Sequence, residues 1–169
     1  MVRITSEIGW LDAVIVHPPG NEVGLMSPQT AQAALYDDII HPARAAEEHA
    51  QLVAALRQFA TVHFLTDLLR DTLAIPAAHT AIIQRLCLGF GVPYLIPHLM
   101  ELAPEALAHQ LMEGTLHQNG SLAAALDPQT FALPPMFNFY FTRDSAMCVG
   151  NQVIIAAMTN RSRWGETVL

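Results

Sequence analysis

The alternation of apolar and polar residues divides the chain into stretches typical of strands and of helices. Two short, β-branched runs at residues 12–17 and 61–65 predict buried strands. From Pro42 to Phe59, apolar side chains recur at intervals of three and four, which predicts a helix with one buried face. The first part of the chain therefore indicates a strand, a helix and a second strand.

Smaller signals mark the ends of further elements. Ser27, standing before a proline, predicts the cap of a short helix, and Asp67 predicts the cap of another helix over residues 68–73. The pair Gly150-Asn151 predicts a tight turn between two strands. Strands are therefore expected at both ends of the chain.

The middle of the chain has a different texture. It is rich in Ala and Leu and interrupted by Gly and Pro, which predicts several short helices. The order of elements predicts an α/β protein in three regions: residues 1–75, an inserted helical subdomain at 76–127, and further strands at 128–169. Apolar residues still accumulate towards Leu169, so we expect the last region to be incomplete at its C-terminal end.

Composition narrows the class of protein. The 169 residues are 52% apolar and 14% charged, which excludes a disordered chain and allows a real core. A net charge of -7 with scattered basic residues argues against a general nucleic-acid-binding surface. The mean hydropathy of +0.31 suggests that some apolar surface is covered by more chain or by a partner.

The cysteines and the apolar runs indicate the cellular compartment in which the protein is expected. Cys87 and Cys148 form neither a metal-binding spacing nor a disulfide framework. The N-terminal residues lack the apolar core of a signal peptide, and no run reaches the roughly 18 to 20 apolar residues of a membrane helix. We expect a soluble, cytoplasmic protein with no membrane contact.

The run NFYFTRD at 138–144 mixes aromatic and charged residues, which predicts a strand end opening into a pocket. A carboxylate among aromatic rings suits a planar cation such as a guanidinium, and Asp144 with Phe141 fits that role. Asn138 would share their strand face at a period of two, and Arg163 could bind a ligand carboxylate. The alternative is that Arg143 and Asp144 form local ion pairs at a sheet edge, with the aromatic residues in the core.

Four blocks of sequence, in order, resemble the arginine deiminases of the guanidine-modifying superfamily. They are SEIGWLDAVIVHPPG, ALYDD, NFYFTRD with its following glycine turn, and RSRWGETVL. The resemblance runs from about Ser6 to Leu169. It implies part of a pentein fold, in which pseudo-fivefold ββαβ modules surround a polar pocket, with a helical insertion and with this chain as the N-terminal portion.

The resemblance also implies a reaction. It implies hydrolysis of L-arginine to L-citrulline and ammonia through a cysteine-bound amidino intermediate, with no metal and no organic cofactor. By motif, Asp144 binds the guanidinium, Phe141 lines the pocket, and Asn138 contacts the amino-acid end of the substrate. Arg163 binds the substrate carboxylate, and Leu35 comes from a loop covering the site.

Two motifs of the family have no match in this sequence. The family's catalytic histidine lies in a His-x-Asp motif and its nucleophilic cysteine lies near the C-terminus, whereas no histidine here is followed by x-Asp. Cys148 is expected to be a small core residue and Cys87 a buried, inert thiol. We therefore expect the substrate-binding wall without the nucleophile, and a chain that is inactive alone.

Other functions stay open at this point. Amidinotransferases and arginine dihydrolases share the same fold. The acceptor of the transferred group depends on residues outside these motifs. A different class is a non-catalytic arginine-binding or structural half-pentein. Unpaired sheet edges and exposed apolar surface favour association as a homo-oligomer or completion by a C-terminal half.

Overall fold

Two parallel strands begin the fold in the computed structural model, which describes residues 3–117 and 131–169. Strand β1 is Ala13–Val16 and strand β2 is Thr61–Phe64, so both predicted strands are confirmed. They pair along their whole length. Because parallel neighbours require a long connection, the helices between them form a crossover.

The crossover contains three helices: α1 at Asn21–Gly24, α2 at Pro28–Ala33 and α3 at Pro42–Leu56. The predicted cap of α2 is confirmed, since the Ser27 side chain accepts a hydrogen bond from the backbone of Thr30 at 3.2 Å. Thr30 Oγ1 in turn accepts from the backbone N–H of Ser27 at 2.7 Å. This reciprocal arrangement is a capping box, and it fixes where α2 begins.

Helix α3 begins at the predicted residue, Pro42, but ends three residues before Phe59. Val53 is buried on its inner face, whereas Phe59 is 70% exposed. The backbone N–H groups of Phe59 and Ala60 both bond to the carbonyl of Leu56, which closes the helix and turns the chain into β2. The predicted buried face therefore stops before Phe59.

Helix α4, Leu65–Leu73, follows β2 without a loop. The prediction that Asp67 caps a helix beginning at residue 68 is wrong. The helix begins at Leu65, and Asp67 lies in its first turn, where it accepts a hydrogen bond from Arg70 Nη1 at 2.8 Å. Because the strand passes directly into the helix, there is no preceding loop residue at which a capping carboxylate would be needed.

The predicted helices after Pro76 are confirmed, although the first of them is fifteen residues long. They are α5 at Pro76–Phe90, a 3₁₀ turn at Pro93–Leu95, α6 at Ile96–Met100 and α7 at Pro104–Glu113. Strand β3, Thr115–Leu116, then pairs antiparallel with β4, Phe131–Leu133. Residues 118–127 of the predicted helical insert and 128–130 of the next predicted region lie outside the described residues.

The last part contains α8 at Thr142–Ser145, β5 at Ala146–Val149, β6 at Gln152–Ile155 and a 3₁₀ helix at Arg161–Thr167. Strands β5 and β6 form an antiparallel hairpin, so the predicted turn at Gly150-Asn151 is confirmed. Gly150 has φ of 61°, a conformation that glycine adopts without strain. Its N–H and carbonyl both bond to Ile4 at 2.8 Å, which ties the N-terminal residues to the hairpin.

The prediction of a strand through NFYFTRD is wrong. Residues 137–140 form a turn and α8 follows it directly. Three backbone hydrogen bonds span three residues each: Phe139 to Met136, Phe141 to Asn138, and Asp144 to Phe141, all at 3.0 Å. Because these bonds curl the backbone, Asn138 and Asp144 do not share a strand face.

The main core is built from the part of the described chain that begins at Leu65. It comprises residues of α4, α5, α6 and α7, the residues around β4, and partly buried side chains near the C-terminal end such as Trp164. A smaller cluster joins α2 to the turn after β4 through Met26, Ala31, Ala34, Phe137 and Tyr36. The second cluster sets the C-terminal end of α2 beside the turn at residues 137–140.

Apolar side chains also remain at the surface. The β5–β6 hairpin exposes more than half of each of Met147, Val149, Val153, Ile154 and Ile155. This is the kind of surface that the mean hydropathy predicted. No single helix within residues 3–117 and 131–169 is long and apolar enough to cross a membrane, and α4 and α5 pass that test only as a pair bent by 108°.

Candidate functional site

The candidate site forms where the 3₁₀ helix Arg161–Thr167 docks on the end of α2. Asn160 begins this helix by accepting a hydrogen bond from the backbone of Ser162 at 2.9 Å. The amide of Asn160 and the hydroxyl of Ser162 both donate to the carbonyl of Ala33, each at 3.3 Å. These bonds bring Arg163 next to Leu35, although about 130 residues of chain separate the two segments.

Arg163 is the centre of the site. Its Nε and Nη2 atoms donate to Glu166 Oε2 at 3.0 and 2.7 Å, and Nε also lies 3.2 Å from Oε1. Its Nη1 atom donates to Asp144 Oδ2 at 2.8 Å. The side chain of Glu166 is 2% exposed and that of Asp144 is 47% exposed, so one carboxylate is buried and the other faces solvent.

Burial and ion pairing act against each other in this cluster. Burial lowers the pKa of Arg163, but the hydrogen bonds that Arg163 donates to Glu166 and Asp144 outweigh it and raise the pKa overall. Burial raises the pKa of Glu166, while the hydrogen bond from Arg163 opposes the shift. When all three groups are ionised, one positive charge faces two negative charges, so the cluster carries a net charge of −1.

Asp144 is presented by α8, the single helical turn that replaces the predicted strand. The alternative interpretation expected local ion pairs at Arg143 and Asp144, and both residues do form ion pairs. They do not pair with each other: Arg143 bonds to Glu7 at 2.6 Å, while Asp144 bonds to Arg163. The carboxylate of Asp144 is therefore directed towards Arg163 and solvent.

Asn138 is buried behind the site and holds its backbone. Its side chain is 5% exposed, and its amide nitrogen donates to the carbonyl of Ala34 at 2.8 Å. This bond joins the turn at residues 137–140 to the end of α2. The side chain of Asn138 was predicted to contact the amino-acid end of a ligand, and its amide nitrogen is bonded instead to the residue before Leu35.

Leu35 stands over the pocket in an unusual conformation. Its φ is 69°, in the left-handed region that residues other than glycine rarely adopt, and its side chain is 63% exposed. It lines an open pocket of about 550 Å³ with Arg163 and the segment Met158, Thr159 and Asn160. Backbone strain of this kind persists only where the surroundings impose it, and it is common at ligand-binding sites.

Two tyrosines that the sequence analysis missed hold the Leu35 loop. The hydroxyl of Tyr36 donates to the carbonyl of Phe137 at 2.8 Å and lies 2.9 Å from the hydroxyl of Tyr140. Burial and the bond to Tyr140 raise the pKa of Tyr36 well above its ordinary value. The signal in the sequence was the tyrosine of LYDD, next to the residue predicted to cover the site.

Phe141 lies between the turn at residues 137–140 and α8 and is 46% exposed. Its ring centroid is 4.2 Å from that of Tyr140, and its carbonyl accepts the backbone N–H of Asp144 at 3.0 Å. An exposed ring three residues from an exposed carboxylate is suited to a planar cation, because ring faces attract positive charge. The structure thus places Leu35, Asn138, Phe141, Asp144 and Arg163 around the junction of three segments.

The two cysteines differ in environment. Cys87 is fully buried in α5, and burial raises the pKa of its thiol, in agreement with the prediction of an inert side chain. Cys148 lies in β5 opposite Val153 and is partly exposed. In the part of the chain that the structure describes, no three His, Cys, Asp or Glu side chains come close enough to hold a metal ion.

Comparison with known proteins agrees with the motifs. The family model for arginine deiminase matches residues 100–169. The chain is 30% identical to arginine deiminase of Limosilactobacillus reuteri, with 99% of this chain and 44% of that protein covered. It is 32% identical to arginine deiminase of Mycobacterium avium, with 97% and 45% covered, and 31% identical to that of Mycobacterium marinum, with 97% and 44% covered.

The resemblance to arginine deiminases is therefore confirmed, and it extends over nearly the whole chain. The chain spans less than half the length of these relatives, in agreement with the expectation of an N-terminal portion.

Proposed function

We propose that this chain forms the substrate-binding wall of an arginine deiminase-like hydrolase, which converts L-arginine to L-citrulline and ammonia. The observation that carries the proposal is the contact between Asp144 and Arg163: the Asp144 carboxylate already holds a guanidinium, at 2.8 Å, beside an open pocket. A pocket of about 550 Å³ lies within the range of roughly 300–1,000 Å³ usual for small-molecule sites.

L-arginine carries the two groups that this site is suited to bind. Asp144 binds the substrate guanidinium through the carboxylate oxygen that Arg163 does not occupy, and Phe141 covers one side of that cation. Arg163 offers N–H groups to the substrate carboxylate, Leu35 covers the pocket, and Asn138 lies towards the amino-acid end. Both charged contacts are charge-assisted hydrogen bonds, which are stronger than neutral ones.

The chemistry requires a nucleophile that we place outside this chain. A cysteine thiolate attacks the guanidinium carbon, ammonia leaves, and water hydrolyses the resulting amidino-thioether to citrulline and the free thiolate. Cys87 is unsuited to this role because it is buried and its pKa is raised. We assign the cysteine, and the histidine that moves the protons, to a further part of the protein.

The proposed architecture is part of a pentein ring. Residues 1–75 form the first module region, 76–127 the helical subdomain inserted into the ring, and 128–169 further strands of an incomplete domain. The exposed apolar side chains of the β5–β6 hairpin support this proposal, since the remaining modules would cover them.

The first test is ligand binding. Calorimetric titration with L-arginine compares the chain with its Asp144→Asn variant and with Asp71→Asn, a matched charge change at an exposed residue of α4. A lost charge-assisted contact is worth roughly 1.5–3 kcal/mol, so Asp144→Asn is expected to weaken binding about tenfold or more, while Asp71→Asn leaves it unchanged. Equal affinities in all three proteins would refute the assignment of Asp144.

The second test is the reaction. The intact mass of the protein isolated from its source is measured by mass spectrometry. The protein is then incubated with L-arginine, and the products are separated and identified. We expect one citrulline and one ammonia per arginine, from a protein heavier than 18.5 kDa. Ornithine without ammonia, formed only when an amine acceptor is added, would indicate amidino transfer. Ornithine with carbon dioxide and two ammonia molecules would indicate a dihydrolase. Either result would overturn the deiminase proposal.

A further inference from the structure

Glu166 is a buried carboxylate that neither the motifs nor the roles above account for. Its side chain is 2% exposed, and both of its oxygens are directed at the guanidinium of Arg163, three residues earlier. A buried charge is tolerated only where a partner and hydrogen bonds compensate for the lost water. Arg163 supplies that compensation through its Nε and Nη2 atoms.

This contact determines which edge of Arg163 faces the pocket. A guanidinium is planar and rigid, so holding its Nε–Nη2 edge fixes the direction of its other edge. The remaining nitrogen, Nη1, is the atom that reaches Asp144, at 2.8 Å. Glu166 thus holds Arg163 from the protein side and leaves Nη1 at the site.

The contact also determines the charge of the site. If Arg163 and Asp144 were alone, they would form a neutral pair, and a ligand cation would have to displace Arg163. With Glu166 ionised, the positive charge of Arg163 is already balanced by the buried carboxylate. Asp144 then keeps an unbalanced negative charge on a side chain that is 47% exposed, where a second cation can reach it.

We propose that Glu166 is a positioning and specificity-determining residue: it orients and neutralises Arg163, so that Asp144 stays available for the guanidinium of the ligand. This inference rests on the proposed function, because it concerns how the same pocket selects its ligand. It assigns the preference for a guanidinium to a residue that does not itself touch the ligand.

The test uses two probes and a matched control. L-arginine carries a guanidinium and a carboxylate, whereas agmatine carries the guanidinium without the carboxylate. Affinities for both are measured by calorimetry for the chain, for Glu166→Gln, and for Glu48→Gln, in which an exposed glutamate paired with Arg44 loses the same charge. Unfolding in urea and the amide NMR spectrum establish that each variant is folded.

We expect Glu166→Gln to weaken agmatine binding about tenfold or more, since a freed Arg163 would compete for Asp144, while Glu48→Gln changes nothing. A purely orienting role would weaken L-arginine binding but spare agmatine, and that result would overturn the inference about charge. The double variant Arg163→Gln with Glu166→Gln removes the competing cation. It should recover agmatine affinity to near that of the unaltered chain, and no recovery would also overturn the inference.

A ligand-independent measurement separates failure of this inference from failure of the proposed function. The Nε–H of Arg163 should exchange with water about tenfold faster in Glu166→Gln, because its buried acceptor is weakened. If the unaltered chain binds neither probe, the proposed function fails. Unchanged exchange of the Arg163 Nε–H would refute the positioning role of Glu166 whatever the chain binds.

Discussion

Gly89 in α5 packs against the ring of Trp164, the residue next to Arg163. A Cβ atom added at Gly89 would stand 2.9 Å from Cζ2 of Trp164 and closer still to Cζ3 and Cη2. The ring cannot retreat freely, because Phe90 packs against it edge-on with ring centroids 5.2 Å apart. We therefore predict that Gly89→Ala displaces Trp164 and with it the 3₁₀ helix of the site.

The magnitude follows from two opposing effects. Replacing a helical glycine by alanine stabilises by roughly 0.5–1 kcal/mol, whereas overpacking a core contact costs roughly 1–3 kcal/mol. The overlap with a ring that is itself packed makes the second effect larger, so we expect a net loss of roughly 0.5–2 kcal/mol in the free energy of unfolding. Because Arg163 adjoins Trp164, L-arginine binding should weaken as well.

The assay is urea unfolding followed by far-ultraviolet circular dichroism. Gln84→Ala, at an exposed position of the same helix, controls for general effects of alanine. In a Trp164→Leu background the clash is absent, so Gly89→Ala should become stabilising by roughly 0.5–1 kcal/mol. A Gly89→Ala variant at least as stable as the unaltered chain, with Trp164 present, would refute the reasoning.

Two further predictions concern stability. Tyr36→Phe removes a hydroxyl donated to a buried carbonyl and should cost about 1–2 kcal/mol in urea unfolding at neutral pH. Burial raises the pKa of Tyr36, so above about pH 10 the unfolded chain loses a proton that the folded chain keeps. The free energy of unfolding should therefore fall as the pH rises above about 10, and it should fall less steeply in Tyr36→Phe. Equal pH dependence in the two proteins would count against this. Gly114 has φ of 84°, and a Cβ added there would lie 2.7 Å from the carbonyl oxygen of Leu133, so Gly114→Ala should cost about 3 kcal/mol. Gly91 has φ of 75° but lies in open space, so Gly91→Ala should cost only about 1 kcal/mol. Similar losses of stability in thermal unfolding of the two variants would contradict this prediction.

Local patterns in the sequence predicted those parts of the fold whose cause is local. The β-branched runs predicted β1 and β2, Ser27 predicted the cap of α2, and Gly150-Asn151 predicted the hairpin turn. In each case the residues that form the element also supply the interactions that define it.

The run NFYFTRD shows where local reasoning failed. Its consecutive aromatic residues are typical of a strand, but hydrogen bonds between residues three apart curl it into a turn and a single turn of helix. Phe137 enters the small cluster beside α2 and Phe139 enters the main core, and a curled backbone allows both. The choice between strand and turn thus depended on neighbours that are remote in sequence.

The candidate site also has features that the sequence predicted and features that depend on tertiary packing. By itself, the sequence predicted the candidate side chains of the site: Asp144 and Arg163 as charged groups, Phe141 as an aromatic wall, and Leu35 through the family motif. Only the tertiary structure decided that Arg163 is held by a buried Glu166 and that Asn138 binds the carbonyl of Ala34. The reason is that the sequence specifies the side chain at each position directly. The hydrogen-bond partner of Asn138 lies 104 residues away in sequence, and only the packing of the chain brings the two residues together.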